Sequence, residues 1–291
     1  MKLIEHTRTA HELIIESKNA KIAFMPDLHW DNPKCKRDIL KRDLDYCLEN
    51  EIPVVISGDF FCLMQGRADR RSNKSDIRPE HNNAKYVDSV IETAVQWFKP
   101  YASILKLISY GNHETALIKY IETDVLQRFQ TLFNYETGGD LKLGGYGGFI
   151  VVRQMFSGSS ASTVIKYFHG AGGAAVVTKG AIDLTRALEK YDAEAFVMGH
   201  IHYNMARTDV REYLKSTPKT GFESAQKEVH GMVCGTYKEE YEDGHHGWHV
   251  ERGAPPKVIG GRIMTIDVRR SEKDGRLTVR KIVDSHRFTN I

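Results

Sequence analysis

Residues 21–30 read KIAFMPDLHW: an apolar run that stops at a proline, followed at once by an aspartate and a histidine one residue apart. A second run of the same kind, PVVISGDF at 53–60, closes in Gly58 and Asp59. Short β-rich runs bounded by turn residues read as buried strands. Between them, KRDILKRDLDYCLEN at 36–50 places Ile39, Leu40, Leu44, Cys47 and Leu48 on one helical face. Strand, helix and strand in that order form a βαβ unit, so the two strands are expected to be parallel with a right-handed crossover.

The alternation continues outward. Residues 84–99 carry Val87, Val90, Ile91, Ala94, Val95 and Phe98 at helical spacing, and 104–110 (ILKLISY) read as the next strand. Residues 116–133 read as one helix, with Leu117, Ile118, Ile121, Val125, Leu126, Phe129 and Leu132 on its apolar face. Strands at 149–156 and 163–169, a helix at 180–191 and a strand at 195–200 follow. The last third is strand-like and glycine-punctuated, at 227–237, 261–270 and 276–285. The expectation is an α/β fold in a single domain over 1–291, with an insertion loop at 65–83 and a β-rich C-terminal segment at 227–291.

Composition narrows the class. The chain has 291 residues, 41% hydrophobic and 27% charged, which suits a globular protein with a sizeable core. A net charge of +3 permits a phosphate-bearing partner without the clustered excess typical of a dedicated nucleic-acid binder. No stretch approaches the roughly 18 apolar residues of a membrane span, and the N-terminal residues lack a signal-peptide pattern. Cys35, Cys47, Cys62 and Cys234 have no CxxC spacing and read as reduced, buried thiols. A cytoplasmic location with no membrane partner is expected.

The polar clusters all fall at strand ends. Asp27 and His29 follow the first strand, Asp59 the second, and Asn112, His113 and Glu114 the third; His169 and the pair His200 and His202 follow the later ones. In an α/β sheet the carboxyl ends of the strands are where loops gather side chains around a ligand. Asp27 with His29, and His200 with His202, stand at i and i+2, which project the same way in extended chain. Each motif alone is an ordinary polar turn, but their joint occurrence at successive strand ends points to metal. Imidazole and carboxylate suit divalent Mn, Fe or Zn. The seven candidate ligands (Asp27, His29, Asp59, Asn112, His169, His200 and His202) are too many for one tetrahedral ion and suit two ions sharing an aspartate.

The ordered set Asp27-Leu28-His29, Gly58-Asp59, Gly111-Asn112-His113-Glu114, His169-Gly170 and Gly199-His200-Ile201-His202 resembles the calcineurin-like metallophosphoesterase superfamily. The resemblance runs from about residue 22 to 202 and implies a four-layer α/β/β/α sandwich. It implies two divalent ions, manganese foremost, with Fe, Zn, Mg, Ni or Co as alternatives. Asp27, His29 and His202 would hold one ion and Asn112, His169 and His200 the other, with Asp59 bridging. It further implies attack on a phosphate ester by a metal-bridging water or hydroxide. His113 would stabilise charge or protonate the leaving group, and Glu114 would orient its imidazole. Many relatives have Asp where this chain has Glu114.

Phosphodiester hydrolysis, with nucleotide and DNA among the open substrates, is the expected activity. Phosphomonoester and protein phosphatase activity are the alternatives, and a non-catalytic scaffold is an alternative of another class. The protein phosphatase branch has a GDxxDRG motif, where this chain reads GDFFCLM without the phosphate-binding arginine. Arg67, Arg70, Arg71, Lys74 and Arg78 in the insertion are open to two readings, a nucleic-acid contact or a solvated surface. His81, His245, His246 and His249 have no assigned role.

Overall fold

Alternating strand and helix pattern resolves into two mixed sheets in the computed structural model, which describes residues 1–63, 76–173, 177–217, 221–241, 248–251, 253–273 and 276–288. In chain order the strands are β1 (Lys2–Thr7), β2 (Ala10–Ile15), β3 (Asn19–Phe24), β4 (Val54–Ser57), β5 (Leu105–Ser109), β6 (Lys142–Leu143) and β7 (Gly147–Phe156). They continue with β8 (Ser159–Phe168), β9 (Ala195–Met198), β10 (Met205–Thr217), β11 (Gly221–Val233), β12 (Arg262–Lys273) and β13 (Arg276–Arg287). The principal helices are α1 (Arg37–Glu49), α2 (Tyr86–Phe98), α3 (Asn112–Ile121), α4 (Val125–Thr137) and α5 (Ala181–Lys190). None of the described helices is long and apolar enough to cross a membrane.

One sheet has the order β13-β12-β3-β4-β5-β6, with β3 to β6 parallel and β12 antiparallel to β3. The other has the order β1-β2-β7-β8-β9-β11-β10. One core lies between the sheets, joining Leu13, Ile150 and Val152 to Ile22, Phe24 and Met264. A second packs α1, α2 and α4 through Leu44, Val95, Phe98 and Phe129 onto Ala23, Val54 and Ile108. A third sets Leu184 and Leu188 of α5 against Phe196, Met198 and Val233. Strand β4 is buried at all four residues because both of its faces are covered, whereas β7 alternates between buried and partly exposed.

Two sequence expectations change, and one hairpin stands outside the elements read from the sequence. Residues 116–133 form two helices, because Glu122 turns into the left-handed region (φ 53°) and Asp124 caps α4 by accepting from Gln127 N. The apolar period runs through the break unaltered, which hides it from a pattern reading. Residues 2–15 form a hairpin at the sheet edge, where only Leu3 of β1 is buried and periodicity is faint. The β-rich segment begins at Met205 instead of residue 227, because the exposed strand β10 carries little hydrophobic signal.

Of the insertion at 65–83, Arg67, Arg70, Arg71 and Lys74 lie outside the described residues, as do His245, His246 and the side chains of Trp248 and His249. Arg78 is structural: its guanidinium donates to the carbonyls of Asn32 and Cys35 at 3.0 Å each. His81 is buried against Trp30 and bonded to Thr93 Oγ1 at 2.8 Å. The four cysteines are free and buried.

The aromatic cluster under the β4 loop joins fold to site. Phe60, directly after Asp59, packs with ring centroids 4.9 Å from Phe98 and 4.7 Å from Phe129. Phe129→Ala is expected to cost about 3–5 kcal/mol. Denaturant unfolding measures this, and a loss below about 1 kcal/mol would show that the cluster does not anchor the loop.

Candidate metal centre

The loops after β3 and β4 stay paired beyond their strands. Asp27 N donates to Gly58 O, His29 N to Asp59 O and Trp30 N to Phe60 O, each at 3.0 Å. Across the second sheet, Gly199 N donates to His169 O at 3.0 Å, joining the loops after β8 and β9. Backbone pairing thus carries six of the expected ligands to one end of the sandwich, and Asn112 at the start of α3 supplies the seventh.

Five of these seven adopt left-handed backbone: Asp27 (φ 54°), His29 (46°), Asp59 (48°), His200 (68°) and His202 (57°). This conformation costs a non-glycine residue roughly 1–2 kcal/mol. It also corrects the expectation that Asp27 with His29, and His200 with His202, project together from extended chain. Each pair lies past the end of its strand and converges because the chain coils around the site. Strain concentrated on donor-bearing residues marks a place where geometry is held for function.

Three groups of candidate ligand atoms lie within 4.8 Å of one another: His29, Cys62 and His113, and the two that gather the expected ligands, Asp27, His29 and His202 in one and Asp59, His169 and His200 in the other. In the Asp27 group, His29 Nε2 faces His202 Nε2 at 3.4 Å, and His202 Nε2 lies 3.5 Å from Asp27 Oδ1. That Asp27 oxygen is buried with no hydrogen-bond donor. In the Asp59 group, His169 Nε2 lies 3.3 Å from Asp59 Oδ2 and 3.2 Å from Asn112 Oδ1.

The histidine tautomers are set from outside the site. His169 Nδ1 donates to Ser57 O at 3.2 Å, leaving Nε2 as the inward lone pair. His200 Nε2 donates to Gly172 O at 2.7 Å, which turns Nδ1 inward. His113 Nδ1 donates to Cys62 O at 2.5 Å, so its Nε2 is the ring nitrogen 3.8 Å from Asp59 Oδ2. Buried lone pairs facing one another and an orphaned carboxylate oxygen fit cations, and the donor set of carboxylate, amide and imidazole fits divalent transition ions.

The charges agree. Burial pushes Asp59 up, but His169 and His113 outweigh it and hold the carboxyl well below its ordinary value. Burial alone would lower His169; Asp59 more than offsets it and carries the imidazole to about 9. His29 is kept well below its ordinary value by burial and then by His113, as a neutral ligand requires.

Glu114 is placed differently from the sequence expectation. Its Oε1 accepts from Phe61 N and its Oε2 from Gly111 N, both at 2.9 Å, and the ring nitrogen Nδ1 of His113 is held by the Cys62 carbonyl. Glu114 is the third residue of α3, so its bond to Gly111 N is the capping-box contact, a signal present in the spacing of GNHE. Burial, and then the charge of Asp59, push its carboxyl up to about 8.

Asp31 belongs to none of the sequence motifs and has a comparable task. Its carboxylate accepts from Cys62 N and Leu63 N, and from the Tyr86 hydroxyl at 3.0 Å. It therefore fixes the loop whose carbonyl holds His113. The spacing Asp27-His29-Asp31 was the available signal. From the C-terminal segment, Thr236 Oγ1 and Tyr237 N both donate to Asp27 O. Gly111 explains itself sterically: a Cβ there would stand 2.0 Å from Asp59 Oδ1.

No curated protein sequence matches the chain. Among solved structures, Vacuolar Protein Sorting 29 from Cryptosporidium parvum is similar at 13% identity and a TM-score of 0.35, over 92% of this chain and 99% of that one. GAP50, the anchor in the inner membrane complex of Plasmodium, is similar at 10% identity and a TM-score of 0.38, over 91% of this chain and 88% of that one. The family model for calcineurin-like phosphoesterases matches residues 20–204, the span that contains all seven candidate ligands and His113. The chain belongs to the calcineurin-like phosphoesterase family.

Proposed function

We propose that the protein is a dinuclear metal-dependent phosphodiesterase acting on nucleotides or nucleic acid. The observation that carries this reading is the adjacency of two three-residue ligand clusters with His113 beside both. Its Nε2 lies 3.8 Å from Asp59 Oδ2, and its ring centroid 4.9 Å from that of His29.

Divalent ions bound there would supply Lewis acidity towards a phosphoryl oxygen and lower the pKa of water. Asp27 and Asp59 neutralise part of that charge, and the histidines remain neutral donors. Asn112 Oδ1 and His169 Nε2 face each other at 3.2 Å in the Asp59 cluster. His113, fixed at Nδ1 by the Cys62 carbonyl, presents Nε2 to the reacting phosphate, where it stabilises charge or donates a proton to the leaving oxygen. Glu114 and Asp31 act on His113 through the backbone, holding the 61–63 loop against α3.

Preference for a diester over a monoester is supported by the residues just after Asp59. Buried Leu63 stands where the protein phosphatase branch carries its phosphate-binding arginine. A monoester dianion gains more from a bidentate guanidinium than a singly charged diester does.

His113→Ala is expected to keep its metal and lower kcat by roughly 10²–10⁴-fold; unaltered turnover would remove its assigned role. Asp59→Asn is expected to lose both ions by elemental analysis, and an intact two-ion content would refute the bridging role. With Mn²⁺ supplied, a panel of bis(p-nitrophenyl) phosphate, p-nitrophenyl phosphate, cyclic nucleotides and single- and double-stranded DNA tests the reading. Diester hydrolysis is expected to lead, and metal-dependent hydrolysis of the monoester alone would overturn the diester preference.

A further inference from the structure

The long hairpin of β10 and β11 outgrows the sheet that carries it. Strand β11 pairs with β9 only over His230–Val233. Beyond that, residues 209–217 and 221–229 pair only with each other, and among the described residues no strand lies along the outer edge of β10. A two-stranded ribbon without a third strand or a covering layer is marginal in water.

Three exposed apolar residues, Val210, Leu214 and Phe222, share one face. Thr208, Val210, Glu212 and Leu214 stand opposite His230, Glu228, Gln226 and Ser224, and Phe222 stands opposite Ser216, so all lie on the side that continues from Met232. Met232 belongs to the core between the sheets. Further out the same side is open: Val210 is 61% exposed, Leu214 69% and Phe222 71%. Beyond the contacts of His230 with Ser285 and of Glu228 with Arg280 on β13, the face that meets the opposite sheet runs on open at Val210, Leu214 and Phe222.

The edge of β10 carries Arg207, Asp209, Arg211, Glu212 and Lys215, and such charges commonly protect a free edge from pairing. Here they are also self-complementary. In antiparallel pairing of two copies about a two-fold axis at Val210, Asp209 of each copy faces Arg211 of the other, and Arg207 faces Tyr213. Ala206 faces Leu214 and Val210 faces its own counterpart, so the one charged pair, Asp209 with Arg211, is unlike and adds to the contacts these two make within the chain with Arg207 and the Tyr191 carbonyl. Moving the axis by one residue sets Asp209 on Asp209 or Arg211 on Arg211.

We propose that this arm is a homodimer interface in which β10 of two copies pair antiparallel, edge to edge, about Val210. The two seven-stranded sheets then become one continuous sheet through the dimer.

Sedimentation of the full chain tests this directly. The wild type is expected to be a dimer. Val210→Lys, at an exposed site, is expected to raise the dissociation constant by at least about tenfold by placing two ammonium groups at the axis. Asp209→Arg alone is expected to do the same, and the double swap Asp209→Arg with Arg211→Asp to restore most of the affinity. A monomeric wild type would overturn the proposal. So would a dimer indifferent to both single substitutions, or a double swap no tighter than Asp209→Arg. The swap cycle decides the matter even if Val210→Lys disturbs folding.

Discussion

Two buried carboxylates at the ends of neighbouring parallel strands are the constraint on which the rest of the site depends. Asp27 and Asp59 are both almost fully shielded from water, at the ends of β3 and β4. Two anions in that position are unfavourable unless cations or donors surround them. The chain meets the need twice over. Asp27 Oδ2 accepts from His200 N at 2.7 Å, and Asp59 Oδ1 accepts from His113 N at 3.0 Å at the positive end of α3. The remaining oxygens, Asp27 Oδ1 and Asp59 Oδ2, face imidazoles. Each aspartate therefore has one oxygen fixed by backbone and one turned towards the ligand cluster.

That division explains why the surroundings are rigid and strained. Strand pairing continued through the 27–30 and 58–60 loops fixes the carboxylates relative to each other. The left-handed turns at five candidate ligands are tolerated because backbone pairing holds the loops and their neighbours are packed, Leu28, Trp30 and Phe60 in one core and Ile201 in another. Buttressing comes from distant sequence. Thr236 and Tyr237 brace the Asp27 carbonyl, while Tyr237 is itself bonded through its hydroxyl to Asp43 at 2.9 Å. The C-terminal segment thus supports the loop that carries Asp27 without contributing one of the seven candidate ligands.

Much of this was legible residue by residue. KIAFMP and PVVISG are strands because both faces of their sheet are covered, which leaves continuous apolar runs in the sequence. The helices at 36–50, 84–99 and 180–191 were legible because each buries a single stripe. The break between α3 and α4 was not, since a capped turn at Glu122–Asp124 leaves the apolar stripe in phase. Nor was the β1–β2 hairpin: the edge strand β1 buries only Leu3, and β2 alternates in burial with His11 at a buried position and Ile14 at a partly exposed one, so its apolar letters do not alternate. Glu114 shows the limit of reading adjacency in sequence as adjacency in space. On the first turn of a helix, successive side chains diverge, and the N3 carboxylate returns to the N-cap backbone while its neighbour points elsewhere.

Sequence by itself determined which residues carry donors, that they fall at strand ends, and the order of strands and helices that brings those ends to one side. These follow from local chemistry and from periods of two and 3.6 residues. Only the tertiary structure decided which donors share a cluster, which nitrogen of each imidazole faces inward, and that Glu114 and Asp31 reach His113 through the Cys62 loop. Those outcomes depend on left-handed turns and on hydrogen bonds between residues far apart in the chain, and no local pattern encodes either.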